Sequence, residues 1–287
     1  MSDASPLVLP RGRLRAAASR RAGVVGAVVL GVVGVLAVLA PLIADESGLD
    51  ATKAEGGRLE GPSWRFWLGT DEVGRSVLVL VLWGARVSLL VGLAATVLSV
   101  GLGALVGLVA GHAGGGVSWV LMRVTDWFLV LPQLVLAIAL ATVLGPTQAT
   151  IIVAIALTSW ASTARLVRAA TLSVSTRGHV ERAKALGAGG WHVVRRHVLP
   201  GVLPLIAASA TLQVASSVLA EATLSFLGLG DPGRVSWGTM LSRAHEAGSV
   251  SYGAWWYLLP PGLAIIAVVA AFTVCGRALE SAFQEGR

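Results

Sequence analysis

ERAKALGAGGWHVVRRHVLP, residues 181–200, directs the interpretation of the whole chain, because it is a short polar stretch between two long apolar runs. It contains four Lys or Arg side chains, one acid and three glycines, and it ends at a proline. The flanking segments consist almost entirely of Ala, Val, Leu and Ile. A basic stretch in this setting is typical of a loop that connects two membrane-spanning helices.

Apolar runs of membrane-spanning length recur along the chain. The composition is 55% hydrophobic and only 13% charged, whereas soluble domains carry about 25% charged residues. A helix needs about 20 apolar residues to cross ~30 Å of hydrocarbon, and runs of roughly that length or longer lie at 22–44, 82–110, 118–144, 149–167, 202–228 and 257–276. The sequence therefore predicts an all-α, polytopic membrane protein with six transmembrane helices and no separate soluble domain.

The distribution of Lys and Arg predicts the orientation, because loops rich in these residues stay on the cytoplasmic side. Five arginines precede the first helix, and six Lys or Arg residues lie in the 168–200 loop. The 45–76 segment carries an excess of acids, and the 229–256 loop contains only Arg234 and Arg243. Both termini and the 168–200 loop are therefore predicted to be cytoplasmic.

The predicted organisation follows from this orientation. It comprises a cytoplasmic tail (1–21), a first transmembrane helix (22–44), an extracytoplasmic segment (45–81), a core domain (82–280) with the 168–200 loop, and a cytoplasmic C-terminus (281–287). Aromatic residues at membrane interfaces favour the headgroup level. An outer aromatic belt is expected from Trp64, Trp67, Trp83, Trp255, Trp256 and Tyr257.

Composition and motifs argue against several classes of function. The net charge of +7 could suggest nucleic-acid binding, but the basic residues lie between apolar runs and not on a soluble face. The only lysines, Lys53 and Lys184, are not in the Gly-Lys-Ser/Thr context of a phosphate-binding loop. Cys275 is the single cysteine, and the five histidines are scattered along the sequence. We expect this chain to bind no nucleic acid, metal or cofactor.

The 168–200 loop is predicted to contain two short helices separated by glycines. Val180, Ala183 and Leu186 recur at about one helical turn and form an apolar stripe, with the basic side chains directed elsewhere. The glycine-rich stretch 187–190 then interrupts the helix. An apolar ridge with a basic rim suits a groove on a partner protein. Equally, it could rest on anionic headgroups, which favour each basic residue by about 1 kcal/mol.

The opening stretch resembles the EAA signature of ABC importer permeases, which is E-A-A, three residues, Gly, and later a hydrophobic-Pro pair. The matching positions are Glu181, Ala183, Gly187, Leu199 and Pro200. Arg182 departs from the signature, since Ala is usual there. The resemblance favours docking on a partner over resting on headgroups.

Four further blocks resemble the dipeptide, oligopeptide and nickel permeases, in particular their second, C-type subunit. They are LGTDEVGRSVLVLVLWGARVSLLVG (68–92), MRVTDWFLVLPQL (122–134), EATLSFLGLG (221–230) and SWGTML (236–241). Ser76 stands where that subfamily usually has Asp. The chain is thus identified as a member of this family with the type I ABC importer permease fold.

The resemblance implies a role and a set of partners. In this family the loop with the signature is a coupling helix that inserts into a cytoplasmic ATPase subunit. The coupling residues would be Glu181, Arg182, Ala183, Lys184, Leu186, Gly187, Leu199 and Pro200. The implied partners are a homologous second permease, two ATPase subunits or domains that bind ATP-Mg, an extracytoplasmic solute-binding protein and the membrane lipid.

The chain would then be a non-enzymatic transporter subunit in the cytoplasmic membrane of a prokaryote. It would form half of a translocation pathway for dipeptides or oligopeptides. Nickel, glutathione and haem are alternative substrates of the same architecture. An ion-coupled secondary transporter is the alternative from another class. It would need coupling carboxylates or broken helices at mid-membrane, and Asp126 and Glu221 are the only acids available there.

Three ionisable residues in the apolar runs are candidates for the pathway or a gate, because buried charges in membranes usually face protein or water. Arg123 and Asp126 lie at i and i+3 and are predicted to pair on one helix face near the cytoplasmic end. Glu221 has no evident partner in the chain. It could face the pathway or pair with the second permease.

Overall fold

The structure is a computed structural model that describes residues 11–285, with side chains described for residues 21–282. Residues 1–10 of the predicted tail and 286–287 of the predicted C-terminus lie outside this range. The helices are α1 (Arg11–Ile43), α2 (Val77–Ala113), α3 (Gly115–Val130), α4 (Gln133–Leu144), α5 (Gln148–Ser175), α6 (Gly178–Ala185), α7 (Gly190–Val193), α8 (Leu199–Leu224), α9 (Trp237–Glu246) and α10 (Trp255–Glu285). Two π-helical turns, Val194–Val198 and Ser225–Leu229, precede and follow α8.

Six membrane spans are present in the described part of the chain if a bent helix pair is counted as one. Five continuous stretches are long and apolar enough to cross a bilayer, and they contain α1, α2, α5, α7 with α8, and α10. The sixth is formed by α3 and α4, which meet at 90°. The prediction of a helical, multi-pass membrane protein is therefore confirmed.

The third span is not the single long helix that the apolar run 118–144 predicted. It breaks at Leu131, which has an extended backbone (φ −74°, ψ 132°), and at Pro132. Proline disfavours the α-conformation in the residue before it and cannot donate a backbone hydrogen bond. Pro132 is visible in the sequence, but a prediction from hydropathy alone does not show that a proline breaks the helix.

Glycines on α2 set its close approach to α5. Gly103, Gly107 and Gly111 are spaced by four residues and are buried. A Cβ on Gly103 would lie 2.5 Å from the carbonyl oxygen of Trp160, and a Cβ on Gly107 would lie 2.5 Å from that of Ala164. Small residues at this spacing let membrane helices pack backbone to backbone. The glycines of α2 therefore allow its backbone to pack directly against that of α5.

Helix α1 packs against α10 at the edge of the bundle. A Cβ on Gly26 would lie 2.9 Å from Cys275 Sγ, so the partly buried cysteine fills the space beside this glycine. On the other side of α1, Val38 and Leu42 are 74% and 83% exposed. Apolar side chains of this exposure along a span belong in hydrocarbon, which agrees with a membrane location.

The segment between α1 and α2 is an ordered structure at one end of the bundle. Arg75 Nη2 lies 2.6 Å from Asp71 Oδ2, and both side chains are buried. Near α1, the backbone N–H of Ser47 donates to Asp45 Oδ1 and lowers the pKa of that carboxyl. These local contacts order the 45–76 segment at both of its ends.

The predicted aromatic belt is correct in exposure for some members and wrong for Tyr257. Trp64 is 96% exposed and Trp67 is 70% exposed, as residues in headgroups would be. Tyr257 is fully buried and packs in the same core as Trp237. Its position at the start of α10 gave no sign of this burial, because the covering residues come from distant parts of the chain.

Candidate functional site

The polar region between α5 and α8 is shorter than predicted. α5 continues to Ser175, so the first eight residues of the predicted 168–200 loop are helical. Thr171 and Val174 are buried on this extension, and burial of an apolar face stabilises a helix beyond its apolar run. We call residues 176–198 the basic segment.

The basic segment contains the predicted helix–glycine–helix arrangement. α6 ends in a Schellman motif, in which Gly187 has φ +82°. The Gly187 N–H donates to the Lys184 carbonyl at 3.0 Å, and the Ala188 N–H donates to the Ala183 carbonyl at 3.1 Å. A residue with a positive φ at this position is usually glycine because a Cβ there is strained. The signature glycine thus determines where α6 stops.

The chain turns from α6 into α8 without a second break. Pro200 lies in the first turn of α8 and has no N–H to donate. Just before it, the turn is π-helical, and the Leu199 N–H donates to the Val194 carbonyl. Pro200 therefore lies inside a continuous helical stretch that runs from Gly190 to Leu229.

The apolar stripe predicted for α6 is divided between two surfaces. Val180 is fully buried, together with Val193 and Val198, and fastens the basic segment to the ends of α5 and α8. Leu186 is 89% exposed at the other end of α6. The exposed Trp191, at 76%, begins α7 on the far side of the glycines. The prediction of one continuous ridge is wrong, because Val180 points inward.

The remaining coupling candidates lie near this turn. Glu181, Arg182 and Lys184 are exposed on α6, Ala183 and Leu199 are half-buried, and Pro200 is exposed. Arg182 Nε donates to the Gly178 carbonyl at 3.2 Å, so its side chain lies along α6. Trp191 was not among the predicted site residues. Its place directly after the glycines was the signal that could have identified it.

Three histidines that are distant in sequence meet on the basic segment. The ring of His197 lies 6.0 Å from that of His179 and 6.0 Å from that of His192, measured between centroids. The π-helical turn contributes, since an i→i+5 repeat brings residues 192 and 197 near one another. The spacing of these histidines in the sequence gave no sign that His179 lies beside His197. No group of three His, Cys, Asp or Glu among the described side chains is placed to hold a metal.

Glu221 has partners within the chain, contrary to expectation. It is 1% exposed, Ser88 Oγ donates to Oε2 at 2.9 Å, and Ser225 Oγ donates to Oε1 at 2.8 Å. The backbone N–H of Trp237 donates in turn to Ser88 Oγ at 3.3 Å. These bonds connect α2, α8 and α9. The serines are ordinary in the sequence, and only the packing of three helices brings them to the carboxylate.

Asp126 pairs with a residue from another helix. Asp126 Oδ1 lies 2.6 Å from Arg165 Nη2 on α5, and both side chains are about half exposed. The guanidinium of Arg123 lies over the ring of Trp119, 5.3 Å from its centroid. The predicted Arg123–Asp126 pair is therefore wrong. The i, i+3 spacing permitted it, but α5 presents a guanidinium in better reach of the carboxylate.

Several bacterial permease proteins are similar in sequence to this chain over most of its length. The di/tripeptide transport system permease protein DppC of Pseudomonas aeruginosa is 40% identical over 225 residues, 78% of this chain and 73% of that protein. A provisionally named peptide permease protein of Brucella suis biovar 1 is 39% identical over 223 residues, covering 77% of this chain and 74% of its own. A second protein of that organism, provisionally named a peptide transport system permease, is 36% identical over 282 residues, 96% of this chain and 90% of its own.

The sequence profile of one protein family covers most of the core. This family is described as "Binding-protein-dependent transport system inner membrane component", and its profile matches residues 103–285. The matched region runs from the middle of α2 to the end of α10 and includes the whole basic segment. The chain therefore belongs to the family of inner membrane components of binding-protein-dependent transport systems.

Proposed function

We propose that this chain is the C-type permease subunit of an ABC importer for dipeptides or oligopeptides. The membership of the family supports an importer subunit, and the names of the relatives support peptides as cargo. The proposed coupling role rests on one observation, which is the structure of the basic segment. It presents two large exposed apolar side chains, Leu186 and Trp191, on a platform fixed to the bundle by buried valines.

The buried valines and the exposed apolar side chains of the basic segment suit it to transmit a movement of the partner to the membrane spans. Val180, Val193 and Val198 pack with residues of α5 and α8, so a force applied at the basic segment reaches two spans directly. Trp191 is an anchor of the type that dominates protein interfaces when it is buried in a groove, and Leu186 adds exposed apolar surface. Glu181, Arg182 and Lys184 would surround these anchors as a charged rim.

The partners and the cofactor follow as part of this proposal. Two cytoplasmic ATPase subunits or domains would bind ATP-Mg and receive the basic segments of this chain and of a homologous second permease. A solute-binding protein would deliver cargo at the opposite face. The half-exposed Asp126–Arg165 bridge remains the candidate for a gate, whereas the enclosure of Glu221 by its serine donors favours a structural role.

Replacing both anchors is expected to release the ATPases. Leu186→Ser with Trp191→Ser removes the apolar surface without changing a charge. When the tagged chain is purified in mild detergent from cells with the full transporter, recovery of ATPase subunits should fall about tenfold or more, and uptake of a labelled dipeptide should be lost.

Trp64→Ser with Val250→Ser is the matched control, because these residues are 96% and 74% exposed at the other end of the protein. That variant should retain the ATPases. Undiminished ATPase recovery with the Leu186/Trp191 variant would refute docking through the basic segment. Uptake of nickel but not of dipeptide by the unmodified transporter would refute the proposed cargo.

Cysteine labelling is expected to place the basic segment in the cytoplasm. In a Cys275→Ala background, Thr176→Cys, at an exposed position of the basic segment outside the proposed docking residues, and Val250→Cys, at a position 74% exposed, each introduce a single thiol. In intact cells whose outer envelope has been opened, a membrane-impermeant maleimide should label residue 250. It should label residue 176 only after the cytoplasmic membrane is permeabilised. The reverse pattern would overturn the orientation, with both termini cytoplasmic, that the arginine distribution predicts.

A further inference from the structure

We propose that a pocket among the ends of α2, α3 and α5 binds the headgroup of an anionic phospholipid. The pocket has a volume of about 350 Å³. Its lining includes Ser118, Trp119, Met122, Arg123, Arg168 and Leu172. It is separate from the exposed anchors of the basic segment, and of its lining residues the peptide-import proposal uses only Asp126.

The first argument is an excess of positive charge. Arg168 is half-buried, its Nε donates to Ser118 Oγ at 3.3 Å, and it forms no salt bridge with any described side chain. Arg123 lies over the Trp119 ring and likewise has no carboxylate partner among the described residues. Asp126 also lines the pocket, but Arg165 already neutralises it. Two guanidinium groups therefore have no counter-ion among the side chains of residues 21–282.

The second argument is the chemistry of a ligand that would neutralise the guanidinium groups of Arg123 and Arg168. A charged group near hydrocarbon is costly unless it meets water or an opposite charge. Arginine binds phosphate oxygens through several donors in one plane, and basic pockets between membrane helices accept anionic lipid headgroups. A phosphodiester in this pocket would satisfy both guanidinium groups together. The buried Ser118 hydroxyl orients Arg168 toward that position.

The third argument is the depth of the pocket and its surroundings. Arg168 lies seven residues before the end of α5, which is about 10 Å along the helix, where the headgroup region of the same leaflet is expected. Exposed apolar side chains line the pocket, including Trp119 at 63% and Leu172 at 43%. Lipid chains could lie along these residues while Trp119 occupies the interface. In the orientation proposed above, this is the cytoplasmic leaflet, the more negative one.

Native mass spectrometry of the purified complex tests the proposal. After exchange into phosphatidylcholine nanodiscs with added phosphatidylglycerol, the released complex should retain a phosphatidylglycerol adduct. In the double variant Arg123→Gln, Arg168→Gln, retention should fall about tenfold or more, since each basic contact contributes about 1 kcal/mol. Arg177→Gln with Arg195→Gln removes the same charge from the exposed basic segment and should leave the adduct intact.

Several results would overturn the proposal. One is an unchanged adduct in the Arg123/Arg168 variant, and another is an equal loss in the Arg177/Arg195 control, which would indicate general attraction to the basic face. Displacement of the lipid by inorganic phosphate would assign the pocket to a soluble anion. A raised KM for dipeptide with an unchanged adduct would assign it to the translocation pathway. The adduct is measured without transport, so failure of the peptide-import proposal would leave this test intact.

Discussion

Gly107→Val is expected to leave almost no folded permease in the membrane. The Cβ would lie 2.5 Å from the Ala164 carbonyl oxygen and 2.8 Å from Val167 Cβ, and the nearer atom belongs to the backbone of α5. Backbone atoms in a packed helix cannot rotate aside, so α2 and α5 must separate. Overpacking typically costs about 1–3 kcal/mol when side chains can yield, and we expect a cost at the upper end or beyond it.

Gly101→Val on the same helix is the matched control. It introduces the same side chain, with the same helix propensity, at a position where no atom lies within 4 Å of the new Cβ. The amount of monodisperse protein in detergent and its Tm should be close to those of the unmodified chain for Gly101→Val, and greatly reduced for Gly107→Val. Equal behaviour of the two variants would contradict the close packing of α2 on α5.

Gly187→Val is expected to abolish import while the protein remains folded in the membrane. Gly187 has φ +82°, and no atom of the chain lies within 4 Å of a Cβ placed on it. A side chain therefore meets no obstacle inside this subunit. The left-handed conformation costs an ordinary residue about 1–2 kcal/mol and a β-branched residue more, so the turn between α6 and α7 would change. Leu186 and Trp191 would then lose their relative placement.

Two further glycine variants identify why Gly187→Val would lose import. Gly189 has φ −63° and open surroundings, so Gly189→Ala should import dipeptide at the normal rate. Asn tolerates positive φ better than most residues, so Gly187→Asn separates turn geometry from bulk. Partial import by Gly187→Asn would identify turn geometry as the cause. Complete loss, as also expected for Gly187→Glu, would show that a partner approaches this position closely. Normal import by Gly187→Val would refute the role of the turn.

Hydropathy identified most of the architecture from the sequence. Six apolar runs predicted six spans, because crossing hydrocarbon requires about 20 apolar residues whatever the neighbouring helices do. The glycines of the basic segment predicted its interruption, because a positive φ is a local backbone property that few residues other than glycine adopt readily. The coupling roles of Glu181 and the residues that follow it stay predictions, since no partner is present in this structure.

Contacts between distant residues could not be read from the sequence. The pairing of Asp126 with Arg165, the serine donors of Glu221 and the burial of Tyr257 all depend on which helix lies beside which. Many arrangements of six helices satisfy the same hydropathy pattern, because lipid and protein interiors are similarly apolar and do not sort the faces. The sequence by itself thus determined the number of spans and the position of the turn. Only the tertiary structure decided the partners of the polar groups, since these depend on close packing between particular helices.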